Sequence, residues 1–373
     1  MPSFTAFVSF PSADLTESLI RSALSKLQGI SQIIDSLPLP PPLPLLQWSS
    51  YDEIDHALCM DSVSSVLSSS YVIRKSIIRK HFLHRSLQQF IAKHPGTSLK
   101  LAVPLTWDID ISYADELDEM WSDELYELGC RLPEESPPSG ETTQWWILKP
   151  GMADRGMGIR LFDSKSSLVA IFEEFEGDES DIEHEDNEQQ DHGVMTSHLR
   201  HFVIQVSSSH HFICESLRYL KEYLANPVLL DPRQVPLEPN GIAPSKEELR
   251  GHKFHLRVYC VAQGGLRLYM CRRILALFSS KSYAAPCRSD GDQTGMVDLT
   301  AHLTNTSLQE HRGEEGVRLL SELVGCSVLD GDRFTESDLE DITEQAGDVL
   351  ADTFRAALDT TVHFQVCWFF RCH

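Results

Sequence analysis

A lysine at the end of a short apolar run stands directly before a glycine-rich loop. Residues 145–148 are apolar and Lys149 follows them. The next nine residues contain one arginine and three glycines, namely Arg155, Gly151, Gly156 and Gly158. An ammonium at the end of a buried strand is costly unless it meets an anion, and glycines let backbone N–H groups approach an anion closely. The pattern suggests a bound triphosphate, but on these residues alone a lysine that extends into solvent before an ordinary hairpin loop is the favoured interpretation.

The residues after the loop predict the elements that must hold it. Ile159, Leu161 and Phe162 form a second apolar run, so the segment predicts a strand, a flexible loop and a second strand. No Gly-Lys-Ser or Gly-Lys-Thr sequence opens a helix here, which excludes a phosphate loop of the Walker type. The expected phosphate ligands are therefore a strand lysine and a loop that lies over it.

Three blocks of the sequence, in order, resemble the tubulin-tyrosine ligase family. Residues 145–160 resemble its Trp-Ile-x-Lys-Pro strand and the loop that ends Arg-Gly-x-Gly-Ile. Residues 253–259 resemble its Lys-Phe-Asp-x-Arg-x-Tyr strand, and residues 302–305 its His-Leu-Thr-Asn block. The resemblance implies a fungal-type member of the family with an α+β ATP-grasp fold. That fold comprises an N-terminal α/β domain, a central lobe and a C-terminal lobe.

The resemblance also implies ATP as cofactor, with Mg²⁺ in the family, and an ATP-dependent ligase reaction between a carboxylate and an amine. The carboxylate becomes an acyl phosphate and the amine then displaces phosphate, which adds an amino acid to a protein tail. The residues implied to bind ATP are Lys80 (or Lys75 in its place), Lys149, Arg155, Gly156, Gly158, Gln205, Glu222, Tyr223, Leu224, Lys253, His255, Thr304 and Asn305. Arg257 is implied to act in catalysis, and no residue of the chain is assigned to a metal.

The acceptor that the resemblance implies is tubulin or another protein with an acidic tail. Such a tail needs a basic groove, to which Arg74, Lys75, Arg79 and Lys80 could contribute; a solvated helix face explains the same cluster. We expect a cytoplasmic protein, because the nine cysteines form no Cys-x-x-Cys pair, as is typical of reduced thiols.

Charge and hydropathy exclude several classes of function. The formal net charge of −23 argues against general nucleic-acid binding. No run of about 18 apolar residues is present, so we expect no membrane span and no membrane partner. Residues 173–191 hold eleven Asp or Glu and no Lys or Arg. We predict that residues 173–193 form a disordered acidic loop, and competition with an acidic substrate tail is the alternative.

Three features depart from the family pattern. His255 replaces the acid of Lys-Phe-Asp-x-Arg, and Leu277 stands where the family has an arginine. The metal-binding carboxylates of the family, an Asp and a Glu-x-Asn pair, have no counterpart beyond Asp359. We therefore expect an incomplete C-terminal lobe and no ligase turnover from the 373 residues. The alternative is a non-catalytic nucleotide-binding or scaffold protein, a role that some fungal relatives link to RNA-processing bodies.

The organisation of the chain follows from these blocks. We predict an N-terminal α/β domain at 1–70 with a Pro-rich linker at 37–45, a central lobe at 71–205 and a C-terminal lobe at 222–373. The linker also fits a ligand of SH3-type domains. Residues 206–221 interrupt a join that the family makes almost directly. Valine codons begin with GT, so 206–221 and 366–373 fit retained introns; a genuine surface insertion is the alternative at the first site.

Local patterns predict the remaining elements. Strands are predicted at 4–10 and 202–205, helices at 15–27, 79–92 and 335–358, and a hairpin at 254–270 that turns at Gly264 and Gly265. One uninterrupted strand over 254–261 would put Lys253, His255 and Arg257 on one face. Ser337 and Glu340 predict a capping box for the last helix.

Overall fold

A computed structural model describes most of the chain. The described residues are 3–138, 144–153, 157–177, 200–206, 227–238, 241–286, 299–302, 304, 315–329, 331–360 and 362–364. They divide into two compact units, the first ending at Arg74 and the second spanning Lys75–Phe364. Within these ranges, no helix has both the length and the apolar character that a membrane crossing requires.

The first unit is built on a parallel sheet of four strands. β1 (Phe4–Ser9), β2 (Ile30–Ile34), β3 (Leu45–Ser49) and β4 (Val66–Ser68) lie in the order β2-β1-β3-β4. The apolar side chains of β1 are buried on both faces: Ala6 and Val8 pack with Leu24, and Phe7 packs with Leu45. Helices α1 (Asp14–Leu24) and α2 (His56–Asp61) complete the unit.

The predicted strand at 4–10 is confirmed and ends one residue earlier, at Ser9. The predicted helix at 15–27 is also confirmed; it begins one residue earlier and ends three residues earlier. Residues 37–44 connect β2 to β3. Leu45, which the sequence placed in the Pro-rich linker, is instead the buried first residue of β3 and pairs with Thr5 of β1. The stability gained by burying the Leu45 side chain in the sheet outweighs the tendency of the preceding proline-rich residues to stay outside regular structure.

An antiparallel sheet organises the first half of the second unit. β5 (Thr106–Asp110), β6 (Trp146–Pro150), β7 (Arg160–Phe162) and β8 (His201–Val206) lie in the order β5-β8-β6-β7. β6 and β7 are antiparallel neighbours, which confirms the predicted strand, loop and strand. β8 confirms the strand predicted at 202–205. Trp146, Leu148 and Phe202 are buried together on one face of this sheet, so alternate residues project from the other face.

Helices flank this sheet. They are α3 (Lys75–Ile78), α4 (Lys80–Lys93), α5 (Leu99–Ala102), α6 (Glu116–Met120), α7 (Tyr126–Gly129) and α8 (Lys165–Gly177). α4 confirms the helix predicted at 79–92. α8 corrects the start of the predicted acidic loop at 173–193, because residues 173–177 form its last turn. The ring of Phe175 stacks on Phe202 with centroids 6.0 Å apart, which holds that turn in place. Residues 178–199 lie outside the described part.

The second half of the unit contains β9 (Phe254–Arg257), β10 (Cys260–Gln263), β11 (Arg267–Met270), β12 (Leu275–Phe278) and β13 (Val317–Leu319). The turn predicted at Gly264 is confirmed, and this glycine has a φ of +58°. The single strand predicted over 254–261 is wrong. β9 pairs with β12 in the sheet β13-β12-β9, whereas β10 pairs with β11 in a separate two-stranded ribbon. Phe254 packs on Phe278 with ring centroids 5.1 Å apart, which anchors β9 to β12 instead of the ribbon.

The last helix, α9 (Glu336–Asp359), confirms the helix predicted at 335–358. Its capping box uses Thr335 and Asp338 and not the predicted Ser337 and Glu340: the Asp338 carboxylate accepts from the Thr335 N–H at 2.8 Å. Ala356 of α9 is buried with Phe90 of α4, so α9 supports the helix that begins at Lys80. The predicted insertion at 206–221 lies outside the described part except for its first residue, Val206, which is instead the last residue of β8 and pairs with Trp146. The residues predicted to be a second retained intron, 366–373, lie outside the described part.

Candidate functional site

Lys149 projects from the polar face of the antiparallel sheet. It is the fourth residue of β6, and its neighbour Leu148 is buried in the core. The ammonium donates a hydrogen bond of 2.8 Å to Oε1 of Gln205. Ile147 lies directly opposite Gln205 in the β6–β8 pair, so Lys149 is a diagonal neighbour of Gln205 on the same face. The sequence correctly predicted a lysine near the end of a strand at this position.

Gln205 is held so that its carbonyl oxygen faces the lysine. Its Nε2 donates to Oγ1 of Thr106 at 3.1 Å, and that hydroxyl donates to the carbonyl oxygen of Pro104 at 2.8 Å. Thr106 lies directly opposite Gln205 in the β5–β8 pair. The partner fixed beside the Lys149 ammonium is thus a neutral amide. It accepts one hydrogen bond from the ammonium but brings no negative charge to balance it.

Three lysines act on one another in this cleft. Burial, followed by repulsion from Lys80 and Lys253, lowers the pKa of Lys149 from 10.5 to about 8. Burial also lowers the pKa of Lys253, which directly precedes β9. The positive charges therefore come from the first residue of α4, from the interior strand β6 and from the residue before β9. Such a cluster destabilises the empty protein and complements an anion that carries several charges.

Lys80 holds the base of the glycine-rich loop. Its ammonium donates to the carbonyl oxygens of Pro150 and Ala153 at 2.9 and 3.1 Å. Its backbone N–H donates to the carbonyl of Gly151 at 3.0 Å. The loop therefore leaves β6 in contact with the first turn of α4. Lys75, the alternative to Lys80 in the sequence prediction, is exposed at the start of α3.

Gly151 occupies a position that admits no side chain. Its N–H donates to the carbonyl of His201 at 2.6 Å. A Cβ here would clash with the ring of His81 and lie 2.9 Å from that carbonyl oxygen. The rings of His81 and His201 stack with centroids 4.4 Å apart. Burial, followed by repulsion from His201, lowers the pKa of His81 from 6.5 to about 4. A neutral His81 ring therefore packs against Gly151, the first residue of the loop after β6, and holds it in place.

The far end of the loop is set by Gly158, whose φ of +67° is a left-handed conformation that glycine adopts without strain. Ile159 follows it and is buried, and β7 begins at the next residue. Arg155 and Gly156, predicted to contact the nucleotide, lie outside the described residues. The structure therefore describes both ends of the loop.

His255, on strand β9, contacts Thr304, which the sequence also predicted to bind ATP. Nδ1 of His255 and Oγ1 of Thr304 share a hydrogen bond of 2.5 Å. Leu277, where the resemblance implies an arginine in the family, lies directly opposite His255 in the β9–β12 pair. Burial, followed by the positive charge of Arg257, lowers the pKa of His255, so its imidazole is neutral at pH 7. Arg257 itself is exposed at the end of β9.

Four of the residues predicted to bind ATP lie outside the described part of the chain, namely Glu222, Tyr223, Leu224 and Asn305. Of the basic residues expected in an acceptor groove, Arg74 lies in the first unit, where its guanidinium stacks 4.1 Å from the centroid of the Tyr51 ring. Among the residues that the structure does describe, no group of three or more His, Cys, Asp or Glu side chains could hold a metal ion.

Sequence reasoning missed Thr106, His81 and His201. Thr106 contacts Gln205 across 99 residues of sequence, a distance at which no local pattern predicts a partner. His81 directly follows Lys80, and that adjacency was the available signal. A histidine within a helical pattern more often has an ordinary structural role, so its stacking on His201 became evident only from the fold.

Comparisons with known proteins show which family this chain is similar to. A family model described as "Tubulin-tyrosine ligase family" matches residues 58–362. The probable tubulin–tyrosine ligase PBY1 of Saccharomyces cerevisiae is 31% identical over 353 residues, which cover 92% of this chain and 42% of that protein. A probable tubulin–tyrosine ligase of Schizosaccharomyces pombe is 31% identical over 327 residues, which cover 86% of this chain and 68% of that protein. The chain thus spans less than half the length of the first relative.

One solved structure is similar over nearly the whole chain. It is the C-terminal domain of K. lactis Pby1, an ATP-grasp enzyme interacting with the mRNA decapping enzyme Dcp2. The TM-score is 0.55 at 24% identity, and the match covers 98% of this chain and 78% of that one. A likeness at this identity shows the fold, and it confirms the predicted α+β ATP-grasp architecture.

Proposed function

Because this chain belongs to the tubulin-tyrosine ligase family, we propose that it binds ATP in the cleft of Lys149, Lys80 and Lys253. We further propose that the reaction for which this site is built is the family's ligation of an amino acid to a protein tail, with no turnover expected where the family's metal-binding carboxylates are missing. An acidic tail, such as that of tubulin, is the proposed acceptor. The proposed compartment is the cytoplasm, which suits the free thiols of the five described cysteines, Cys59, Cys130, Cys260, Cys271 and Cys326.

One observation carries the proposal. Burial and two other lysines lower the pKa of Lys149 to about 8, and no carboxylate of the described residues is among the groups that shift it. A protein gains stability by pairing or removing such a charge. A buried ammonium whose hydrogen bond runs to a neutral amide is best explained by an anionic ligand. The glycine-rich loop beside it supplies backbone N–H groups, which suit phosphate oxygens.

Each residue of the site has its own proposed role in ATP binding. Lys149 and Lys253 place positive charge where phosphates would lie, and Gln205 orients the Lys149 ammonium through its fixed carbonyl oxygen. Lys80 ties the loop to α4, so the loop can close over the site without losing its base. ATP supplies the phosphoryl group that activates a carboxylate. Arg257 lies two residues beyond His255 and is the proposed contact to the reacting carboxylate.

Nucleotide binding is tested by calorimetry on the intact chain, with and without Mg²⁺. We expect Lys149→Met to weaken ATP binding by about one to two orders of magnitude, because a charge-assisted phosphate contact contributes roughly 1.5–3 kcal/mol. Lys246→Met is the matched control, since Lys246 is exposed and is not among the groups that lower the pKa of Lys149. Unchanged ATP affinity in Lys149→Met, or an equal loss in Lys246→Met, would contradict the proposed site.

A second candidate function is a nucleotide-binding or scaffold protein without ligase turnover. Two observations favour it. The neutral His255 and the apolar Leu277 stand at positions where the family has charged residues. In addition, the similar domain of K. lactis Pby1 interacts with the decapping enzyme Dcp2, so a link to RNA processing is the corresponding proposal for this chain.

Transfer of a labelled amino acid separates the two candidates. Purified chain, ATP, Mg²⁺ and a mixture of labelled amino acids are incubated with tubulin or with a peptide ending in glutamates. Incorporation that depends on ATP and is lost in Lys149→Met supports the ligase. Binding of ATP without incorporation supports a nucleotide-binding protein without ligase turnover. Absence of ATP binding contradicts the ligase and supports a scaffold.

A further inference from the structure

The segment 249–286 has a charge opposite to that of the whole chain. It holds seven Lys or Arg and no Asp or Glu, whereas the chain has a net charge of −23. Four of these arginines lie in or beside the two-stranded ribbon and are exposed. Within the described residues, none of the four side chains has a hydrogen bond or an ion pair. They are Arg257, Arg267, Arg272 and Arg273.

The ribbon presents large side chains on one exposed face. Val261 of β10 lies directly opposite Tyr269 of β11. The N–H of Cys271 donates to the carbonyl of Tyr259 at 2.8 Å, which extends the pairing by one step. Residues two apart on a strand share a face, so Tyr259, Val261, Tyr269 and Arg267 lie together. Val261 is 65% exposed, and the two tyrosines are 55% and 54% exposed. These values are high for side chains of this size and leave the face available for contact.

The ribbon also has an unpaired edge. In the part of the chain that the structure describes, β10 pairs with β11 alone, and β9 is an edge strand of its own sheet. Hydrogen-bonded and non-hydrogen-bonded pairs alternate along antiparallel strands. Since the pair of Tyr259 and Cys271 is hydrogen-bonded, the N–H and C=O of Ala262 point away from β11. An edge of this kind is a template for another extended chain.

We propose that the outer edge of β10 binds an extended acidic segment of a partner protein, which adds to the ribbon as a third strand. Main-chain hydrogen bonds to Ala262 provide the pairing, as in other cases of strand addition. The unpaired arginines select acidic side chains, and the exposed tyrosines and valine supply apolar contact. Tyrosine and arginine are the residue types that dominate binding at protein interfaces. This docking does not depend on the nucleotide cleft.

Charge and geometry favour a peptide over a nucleic acid. A single-stranded nucleic acid would use the tyrosine rings and the arginines, but it would leave the open backbone edge and Val261 without partners. The negative charge of the rest of the chain also repels a long polyanion. A short acidic peptide uses all three features of the ribbon and carries less charge.

The test measures binding of a fluorescent peptide with alternating glutamate and valine, about ten residues long, by anisotropy at low ionic strength. We expect the intact chain to bind it, and added salt to weaken binding. Ala262→Pro removes the outward N–H and is tolerated at an edge. It should weaken binding at least about tenfold, whereas Ala262→Ser, which keeps that N–H, should not. The double variant Arg272→Glu/Arg273→Glu should also weaken binding at least about tenfold.

Three results would overturn the proposal. They are no binding of the peptide to the folded intact chain, equal binding by a folded Ala262→Pro variant, and tighter binding of an oligouridylate of about fifteen nucleotides than of the peptide. Should Ala262→Pro fail to fold, the arginine double variant decides alone, and unchanged affinity there overturns the idea. Lys149→Met should bind the peptide as the intact chain does, so the outcome is independent of ATP binding.

Discussion

Replacement of Lys149 by methionine should stabilise the nucleotide-free protein while it weakens ATP binding. The pKa of Lys149 falls from 10.5 to about 8 because the ammonium is buried and is repelled by Lys80 and Lys253. At about 1.4 kcal/mol for each pKa unit, the fold holds the charged form at a cost of about 3 kcal/mol. Methionine has a similar shape without the charge. The lost hydrogen bond to Gln205 offsets about 1 kcal/mol, which leaves a net gain of about 2 kcal/mol at pH 7.

The pH dependence gives this prediction a distinctive form. Below pH 8 the lysine is protonated in both folded and unfolded chains, so the full cost applies. Between pH 8 and 10.5 the folded protein loses the proton first, and the stability of the lysine-containing protein rises with pH. The stability of the methionine variant has no such dependence on pH, because residue 149 then carries no titratable group. Its advantage in free energy of unfolding should therefore fall by about 2 kcal/mol between pH 7 and pH 9.5.

Urea unfolding of both proteins at several pH values, followed by tryptophan fluorescence, measures this difference, and effects of pH on other groups cancel in the comparison. Lys246→Met, at an exposed position, should show a small difference that does not vary with pH. A Lys149→Met variant that is less stable by a constant amount at every pH would refute the reasoning. It would mean that an anionic group of the protein already compensates the ammonium.

Two further predictions concern contacts within the second unit. Gly151→Ala should destabilise the protein by about 1–3 kcal/mol, because the new methyl group has no room beside a buried histidine. Gly265→Ala, which has nothing within 4 Å of its Cβ, should change stability by less than about 0.5 kcal/mol. Thermal unfolding compares them, and equal effects would contradict the packing argument. Asp352→Ala should cost about 1–3 kcal/mol, since its carboxylate accepts the Thr97 hydroxyl at 2.6 Å. Exposed Asp348→Ala is the control, and an equal loss there would show that the contact is unimportant.

The sequence predicted elements well where a pattern is local. The strand that carries Lys149, the glycine-rich loop and the following strand were predicted because two apolar runs flank a polar loop. The same logic failed at residues 254–261. An alternating pattern continues through Val258 and Tyr259, and nothing in it indicates that the chain leaves one sheet and enters a ribbon. The packing of Phe254 on Phe278 decides that point, and this contact spans 24 residues of sequence.

The N-terminal cap of α9 shows a similar limit of prediction from sequence. The sequence near the last helix contains two matches to the capping-box pattern, Thr335 with Asp338 and Ser337 with Glu340. Both place a hydroxyl three residues before an acid, so the pattern alone does not choose between them. In the structure the helix begins at Glu336, and the first pair forms the box. The backbone conformation of Thr335, which is extended, makes that choice.

His255 and Leu277 face each other across one pair of strands. They lie directly opposite in the β9–β12 pair, where Cβ atoms are about 4.5–5.5 Å apart. The resemblance to the family implies an acid and an arginine at these positions, and one charged residue left there alone would be half-buried without a partner. The side chains present are a neutral imidazole and an apolar group, so position 255 holds no acid beside Lys253, two residues earlier. Position 255 therefore supplies no negative charge to the lysine cluster, which favours an anionic ligand there.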